Sequence, residues 1–386
     1  MSRYLLAALV GALTGFCTAP ASAALDGGGS YLMQGFYTTP GVLPPTAGGY
    51  RAAGSGVGKR ALLTNDSVAL TPDYPESFSV DYAISESRLT ASELAKYRSA
   101  HQAPGAVAGS AADWGPLIQL PVAITSVAVP YRVRLASGQP VTDLDLNGGM
   151  LCGLFSGAIS TWDQINPAYS RTPVTVIYRA DGSGTSELLT RHLNSLCPQA
   201  FSTSNRFATA HYGPLPGHWR AERSDQDLLA RVAASEGAIG YSGPSGLDIS
   251  SNAQVARVNG LLPPTAITPI SLTQIPPPAT AMDRADPHKW APDIANPAYG
   301  YAIVGYSYLL FGQCYRDPQD ATALRIFLLR HFGPNPEAGN DARLIAQHLI
   351  PLDAVWKKAV RDSFLLSTSP LGLNNPSVCN GIGRPL

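Results

Sequence analysis

The residues best suited to chemistry lie between Pro173 and Leu189, in the stretch P-V-T-V-I-Y-R-A-D-G-S-G-T-S-E-L-L. Val174, Val176 and Ile177 carry the β-branched pattern of a strand, and Thr185 or Ser186 can cap a helix that follows. A strand that passes into a helix through Gly182-Ser183-Gly184-Thr185 turns several backbone N–H groups toward one point, and glycine lets a partner approach the backbone. That point suits an anion. Arg179, at the end of the strand, adds a planar guanidinium that can grip two oxygens of a tetrahedral oxyanion, and Ser183 and Thr185 add hydroxyl donors. The competing reading is an ordinary strand-to-helix turn with Arg179 paired on the surface to Asp181 or Glu187.

The elements that must position this turn alternate between strand and helix. Ser79 to Ile84 reads as a strand, Ser85 to Arg88 as a polar loop, and the segment after Thr90 as a helix whose cap is reinforced by Glu93. Glu86 is then a carboxylate at a strand end, ordinarily a solvated loop charge. Leu117 to Tyr131 is a nearly unbroken apolar run, as expected of a strand buried on both faces, and is suited to cross from one lobe to another. Val141 to Ile165 reads as a capped helix carrying Cys152, followed by a turn. Helices are expected over 186–196 and 224–235, a short strand over 237–242, and a proline-rich surface segment over 261–280. Tyr299 to Phe311 is the return strand, and helices over 321–332 and 342–349 close the chain. This order implies an α/β protein with two lobes and a ligand cleft between them.

Two glycine clusters need separate comment. Leu25 to Leu32 reads on composition as a flexible segment. Gly54 to Arg60 resembles a nucleotide loop but has Ala53 where the first glycine is required and Arg60 where a magnesium-binding Ser or Thr belongs. It reads instead as a short polar turn that presents Ser55 and backbone N–H groups.

Met1 to Ala23 has one early positive residue, an apolar run too short to span a bilayer permanently, and a small-residue A-S-A end, which together make a secretory signal peptide. The cysteines that remain are Cys152, Cys197, Cys314 and Cys379, an even number that argues for two disulfides in an oxidising compartment. Three pairings are open; proximity in sequence favours 152 with 197 and 314 with 379, loops of roughly fifty residues worth about 4 kcal/mol each in the entropic account. Lys plus Arg number 27 against 27 Asp plus Glu, so no basic face for nucleic acid and no polybasic membrane tail is expected. There is no H-E-x-x-H, no two-metal Asp/His spacing and no G-x-S-x-G turn, and Ser183 or Thr185 as a nucleophile would need a base that the neighbouring sequence does not supply. No cofactor and no metal site are expected.

The chain resembles the periplasmic phosphate-binding proteins of ABC transporters, in their secreted DING branch. The resemblance is carried by D-G-G-G-S-Y-L-M-Q-G (26–35), G-S-G-V-G-K (54–59), S-E-S-R-L-T-A-S-E-L-A-K-Y (85–97), the apolar run 117–131, L-C-G-L-F-S-G-A-I-S-T-W (151–162), Y-R-A-D-G-S-G-T-S-E-L-L-T-R-H-L (178–193) and V-C-N-G-I-G-R-P (378–385). It implies a two-lobed, type II Venus-flytrap fold that closes on one inorganic phosphate. Residues 24–124 with 299–386 would form one lobe and 125–298 the other. The matched motifs imply a phosphate site of Arg179, Ser183, Gly184, Thr185, Ser55, Glu86 and the first loop, Ser30, Tyr31 and Leu32. They also imply the disulfides Cys152–Cys197 and Cys314–Cys379.

The chain departs from the family pattern twice, with Ser30-Tyr31 in place of an Ala-Thr pair and Glu86 in place of an aspartate that accepts a proton from phosphate. Such a carboxylate favours protonated phosphate over sulfate, which carries no proton near neutral pH. The resemblance further implies a monomer, periplasmic or secreted, that serves a transporter permease or scavenges phosphate. Secreted alkaline phosphatases of the DING type, and an adhesin on the same fold, are the alternatives.

Overall fold

The computed structural model describes residues 25–264, 275–292, 294–334 and 339–385. The expected signal peptide, and residues 265–274 of the proline-rich segment, lie outside the described residues. Among the described residues no helix is long and apolar enough to cross a membrane.

Two mixed sheets organise the fold. The larger has five strands, in the order Tyr50–Ala52, Gly27–Gly29, Tyr82–Ser85, Val304–Gly312 and Leu117–Ser126. The first three are parallel, and Val304–Gly312 lies antiparallel between Tyr82–Ser85 and Leu117–Ser126. Both long strands are buried at every position, which is why their sequences read as apolar runs without alternation. The second sheet orders Tyr131–Arg132, Ala238–Ile239, Thr175–Arg179 and Arg220–Glu222.

Several boundaries differ from the sequence expectation. The run from Leu117 is not one strand: it leaves the larger sheet at Ser126 and re-enters the smaller one at Tyr131, with bridges from Ala128 to Ser242 and Pro130 to Val255 on the way. Pro130 lacks an N–H for a continuing ladder. The return strand starts at Val304, later than Tyr299. The helix carrying Cys152 is only Gly148–Ser156, capped by Asn147 and closed by Gly157.

The N-terminal glycine segment is no flexible tail. Gly27–Gly29 is a fully buried strand because its neighbours leave no room for side chains; a Cβ on Gly28 would lie 1.9 Å from the Arg51 carbonyl oxygen. The Gly54 cluster is also more ordered than a polar turn, since Ser55–Thr64 is a helix whose first residue is Ser55. The Thr90 and Glu93 capping box forms as expected. Both disulfides pair as expected, Cys152 with Cys197 and Cys314 with Cys379.

Beneath the Gly27–Gly29 strand a buried acid makes the fold sensitive to pH. Asp81 Oδ2 accepts from Asp26 N at 2.7 Å, and burial, then the charge of Asp320, raises its pKa from 3.8 to about 8. The native state therefore holds this proton more tightly than the unfolded chain, and stability falls as pH rises from about 4 toward 8. Asp81→Asn keeps an acceptor for Asp26 N and removes the ionisation. It should raise the melting temperature at pH 8 and change it little at pH 5; an equal change at both would place the effect elsewhere.

Candidate anion-binding site

Three segments in and around the larger sheet converge on one carboxylate at the end of a fourth. Ser30 follows the Gly27–Gly29 strand, Glu86 follows Tyr82–Ser85, Ser55 opens its helix and Ser307 lies within Val304–Gly312. Glu86 is fully buried and accepts from Ser30 Oγ at 2.8 Å to each oxygen, from Ser55 Oγ at 2.6 Å and from Ser307 Oγ at 2.7 Å. Burial raises its pKa, and the three hydroxyls oppose the rise. The solvated loop charge expected of Glu86 is thus excluded. Its strand ends inside the protein, and burying a carboxylate requires the donors that surround it.

The smaller sheet supplies the opposing face. Thr175–Arg179 ends at Arg179, Ser183 stands at the N-cap, and Gly184 begins the Gly184–Leu196 helix. Gly184 N donates to Ser55 Oγ at 3.1 Å, so the helix N-terminus meets the Glu86 cluster directly. Ser183 Oγ and Thr185 Oγ1 lie 2.6 Å apart and are buried. Glycine is required at 184 because a Cβ there would lie 2.0 Å from Glu86 Oε2 and 2.7 Å from Ser55 Oγ.

Arg179 is 2% exposed, so it is not the surface residue of the competing reading. Its Nε and Nη2 donate to the two oxygens of Asp181 at 3.0 and 2.8 Å, and Nη1 donates to Asp225 at 2.5 Å. The side edge expected to grip an oxyanion is therefore held by Asp181. Of five N–H donors three are taken, leaving one hydrogen on each Nη. Glu187 pairs with Arg191 at 2.7 Å and accepts from Ser87, and takes no part in holding Arg179.

Tyr31 and Leu32 lie on the first loop beside this face. The Tyr31 ring lies 4.9 Å from the Arg179 guanidinium, a cation–π contact between the two faces. Burial, then the charge of Asp181, raises the Tyr31 pKa and keeps the phenol neutral. Leu32 is buried against Gly243, where a Cβ would meet Leu32 Cγ at 2.8 Å, so only its backbone can serve an anion.

Sequence reasoning missed Ser307, Asp225 and Tyr241. Tyr241 Oη accepts from Arg179 N at 3.0 Å and bonds Ser186 Oγ at 2.7 Å. A polar residue inside an apolar strand was a usable signal for Ser307; Asp225, at the start of an amphipathic helix, offered none. Among the described residues no three His, Cys, Asp or Glu side chains gather as a metal ion would need.

Two sheets whose parallel strands end at one cleft, with hydroxyls on one side and a helix N-terminus on the other, define a two-lobed binding protein. The comparisons with known proteins agree. A family model described as the PBP superfamily domain matches residues 30–328. "Alkaline phosphatase L" of Pseudomonas aeruginosa PAO1 is 41% identical over 94% of both chains. The crystal structure of a phosphate-binding protein from Stenotrophomonas maltophilia superposes with a TM-score of 0.85 at 34% identity, over 94% of this chain and all of that one. A high-affinity periplasmic phosphate-binding protein, PfluDING, bound with phosphate, superposes at 0.82 with 35% identity over 94% and 99%. The chain belongs to the PBP superfamily, among the DING-type phosphate-binding proteins.

Proposed function

We propose that this protein is exported, loses residues 1–23 and captures inorganic phosphate between its lobes. The observation that carries the reading is the meeting of Ser30, Ser55 and Glu86 with Gly184 N at the end of a buried helix. Phosphate enters against the helix N-terminus and the remaining Nη hydrogens of Arg179, exchanging with the internal hydrogen bonds of Ser55, Ser183 and Thr185. Tyr31 and the Leu32 backbone close the first loop over it. The lobes are taken as 24–124 with 299–386 and as 125–298, in keeping with the two sheets. Hinge closure excludes water and strengthens each charge-assisted bond. The protein acts as a monomer in the periplasm or outside the cell, delivering phosphate to a transporter permease or retaining it.

Titration calorimetry of the mature chain with phosphate and then sulfate tests this. Phosphate should bind and sulfate should not compete. Glu86→Gln should admit sulfate, bringing the two affinities within about tenfold, because the amide offers a donor where the carboxylate repels an unprotonated oxygen. Unchanged selectivity in that variant would mean that Glu86 does not face the ligand.

One observation favours a second reading, hydrolysis of phosphate monoesters. Ser55 Oγ lies 2.6 Å from a buried carboxylate oxygen of Glu86, a hydroxyl beside a potential base, and the Pseudomonas relative is named a phosphatase. Turnover of a chromogenic ester that survives repurification and is lost in Ser55→Ala would support it.

A further inference from the structure

We infer that Ser307 is a positioning residue for the choice of oxyanion: by donating to Oε1 of Glu86 it holds that carboxylate as an acceptor and keeps Oε2 toward the ligand. The inference rests on the phosphate reading above and adds to it the residue that lets Glu86 reject an oxyanion without a proton. The two oxygens of Glu86 have different settings. Oε2 receives Ser55 Oγ at 2.6 Å and lies on the side of the helix N-terminus, where a Cβ on Gly184 would come within 2.0 Å of it. Oε1 receives Ser307 Oγ at 2.7 Å.

The place of Ser307 follows from the ladder. Tyr308 pairs with Ser85, so one step along the antiparallel register Ser307 stands opposite Glu86, with its side chain on the same face. On the other edge of its strand the register shifts between Ser307, paired with Ala123, and Tyr308, paired with Pro121. An irregularity of this kind re-aims a side chain. Ser307 is fully buried in a strand otherwise made of Val, Gly, Tyr, Leu and Phe, where a hydroxyl needs a partner, and the partner it finds is Glu86.

The other two donors do not replace it. Ser55 turns to the ligand in the phosphate reading, and Ser30 has one hydrogen to share between two oxygens that are each 2.8 Å away. Ser307, in a strand buried at every position, keeps its bond to Oε1. Hydrogen bonds to a carboxylate favour its ionised form, whereas burial favours the acid. Without Ser307 the balance moves toward the acid, whose O–H donates to sulfate as readily as to phosphate. The charged groups of the neighbouring elements are engaged elsewhere, Arg179 with Asp181 and Asp225, Lys59 with Glu93 and Glu187 with Arg191. Burial pushes the Tyr37 and Tyr50 phenols well above their ordinary value of 10, so both stay neutral beside Glu86.

Titration calorimetry with sulfate from about pH 5 to about pH 9, on the unmodified chain and on Ser307→Ala, tests this, because sulfate itself does not titrate there and any pH dependence belongs to the protein. Ser307→Ala removes one oxygen and adds nothing to the packed strand. Sulfate affinity should fall as pH rises and Glu86 ionises. Ser307→Ala should move that fall to higher pH, so that along it the variant binds sulfate about tenfold more tightly at equal pH, the effect of losing one hydrogen bond to a charged group. In a Glu86→Gln background, which has no proton to lose, Ser307→Ala should change sulfate affinity by less than about twofold at every pH. Sulfate binding by Ser307→Ala no tighter than by the unmodified chain at any pH, one common factor lost for sulfate and phosphate at every pH, or an undiminished effect in Glu86→Gln overturns the inference and leaves phosphate capture intact. Absence of inorganic phosphate binding by the unmodified chain overturns the phosphate reading itself.

Discussion

Arg179→Ala should lose phosphate binding by about a thousandfold or more while the chain still folds. The guanidinium is buried, paired with Asp181 and Asp225 and stacked under Tyr31. Its loss does more than remove one cation. Two carboxylates remain uncompensated at the mouth of the site, with the Glu86 carboxylate behind them, so an entering anion meets repulsion where it met attraction. Removing one partner of a buried, hydrogen-bonded charge contact to a ligand costs about 2–5 kcal/mol of binding, equivalent to roughly one and a half to four decades of affinity. Arg179→Lys should recover little of it, because one ammonium cannot hold two carboxylates in a fork. The double variant Arg179→Ala/Asp225→Asn should regain melting temperature without regaining binding. Calorimetry that finds Arg179→Ala within tenfold of the unmodified protein would remove Arg179 from the site.

Gly184→Ala is expected to have the next largest effect, and for a different reason. Alanine favours the helix that begins at 184, so any loss cannot come from helix propensity. The obstacle is space. The added methyl would lie 2.0 Å from Glu86 Oε2, 2.5 Å from Glu86 Cβ and 2.7 Å from Ser55 Oγ. Glu86 Cβ is fixed by its backbone, so the two faces must separate. Overpacking of this kind costs about 1–3 kcal/mol, or roughly ten- to a hundredfold in affinity when it is relieved by opening the cleft. Melting temperature should change little, since each lobe keeps its own packing. An unchanged phosphate affinity in Gly184→Ala would mean that Gly184 and the Glu86 cluster do not need to meet for binding.

Much of the fold was legible because its signals are local. The Thr90 and Glu93 cap, the two apolar runs that became Leu117–Ser126 and Val304–Gly312, and the strand-to-helix turn at Arg179 all depend on residues within a few positions of one another. The boundaries slipped where hydrophobicity continues past the end of a ladder. Val127 and Ala128 are as apolar as the strand before them, yet the chain is already changing sheets there. The Gly27–Gly29 strand was illegible for the opposite reason. Its glycines carry no periodic side-chain signal, and they are explained only by the Arg51 and Tyr82 backbones that press against them.

By itself the sequence determined the α/β alternation and the strand-to-helix turn after Arg179, since strand pattern and glycine placement are properties of neighbouring residues, while the even set of cysteines pointed to two disulfides without fixing their pairing. What only the tertiary structure decided is who holds whom. Ser307 comes to Glu86 from 221 positions away, Asp225 takes Arg179 Nη1 from 46 positions away, and Ser55 meets Gly184 across 129. Such pairings leave no trace in local spacing, because burial fixes them: a carboxylate or guanidinium taken out of water must find partners wherever the fold brings them.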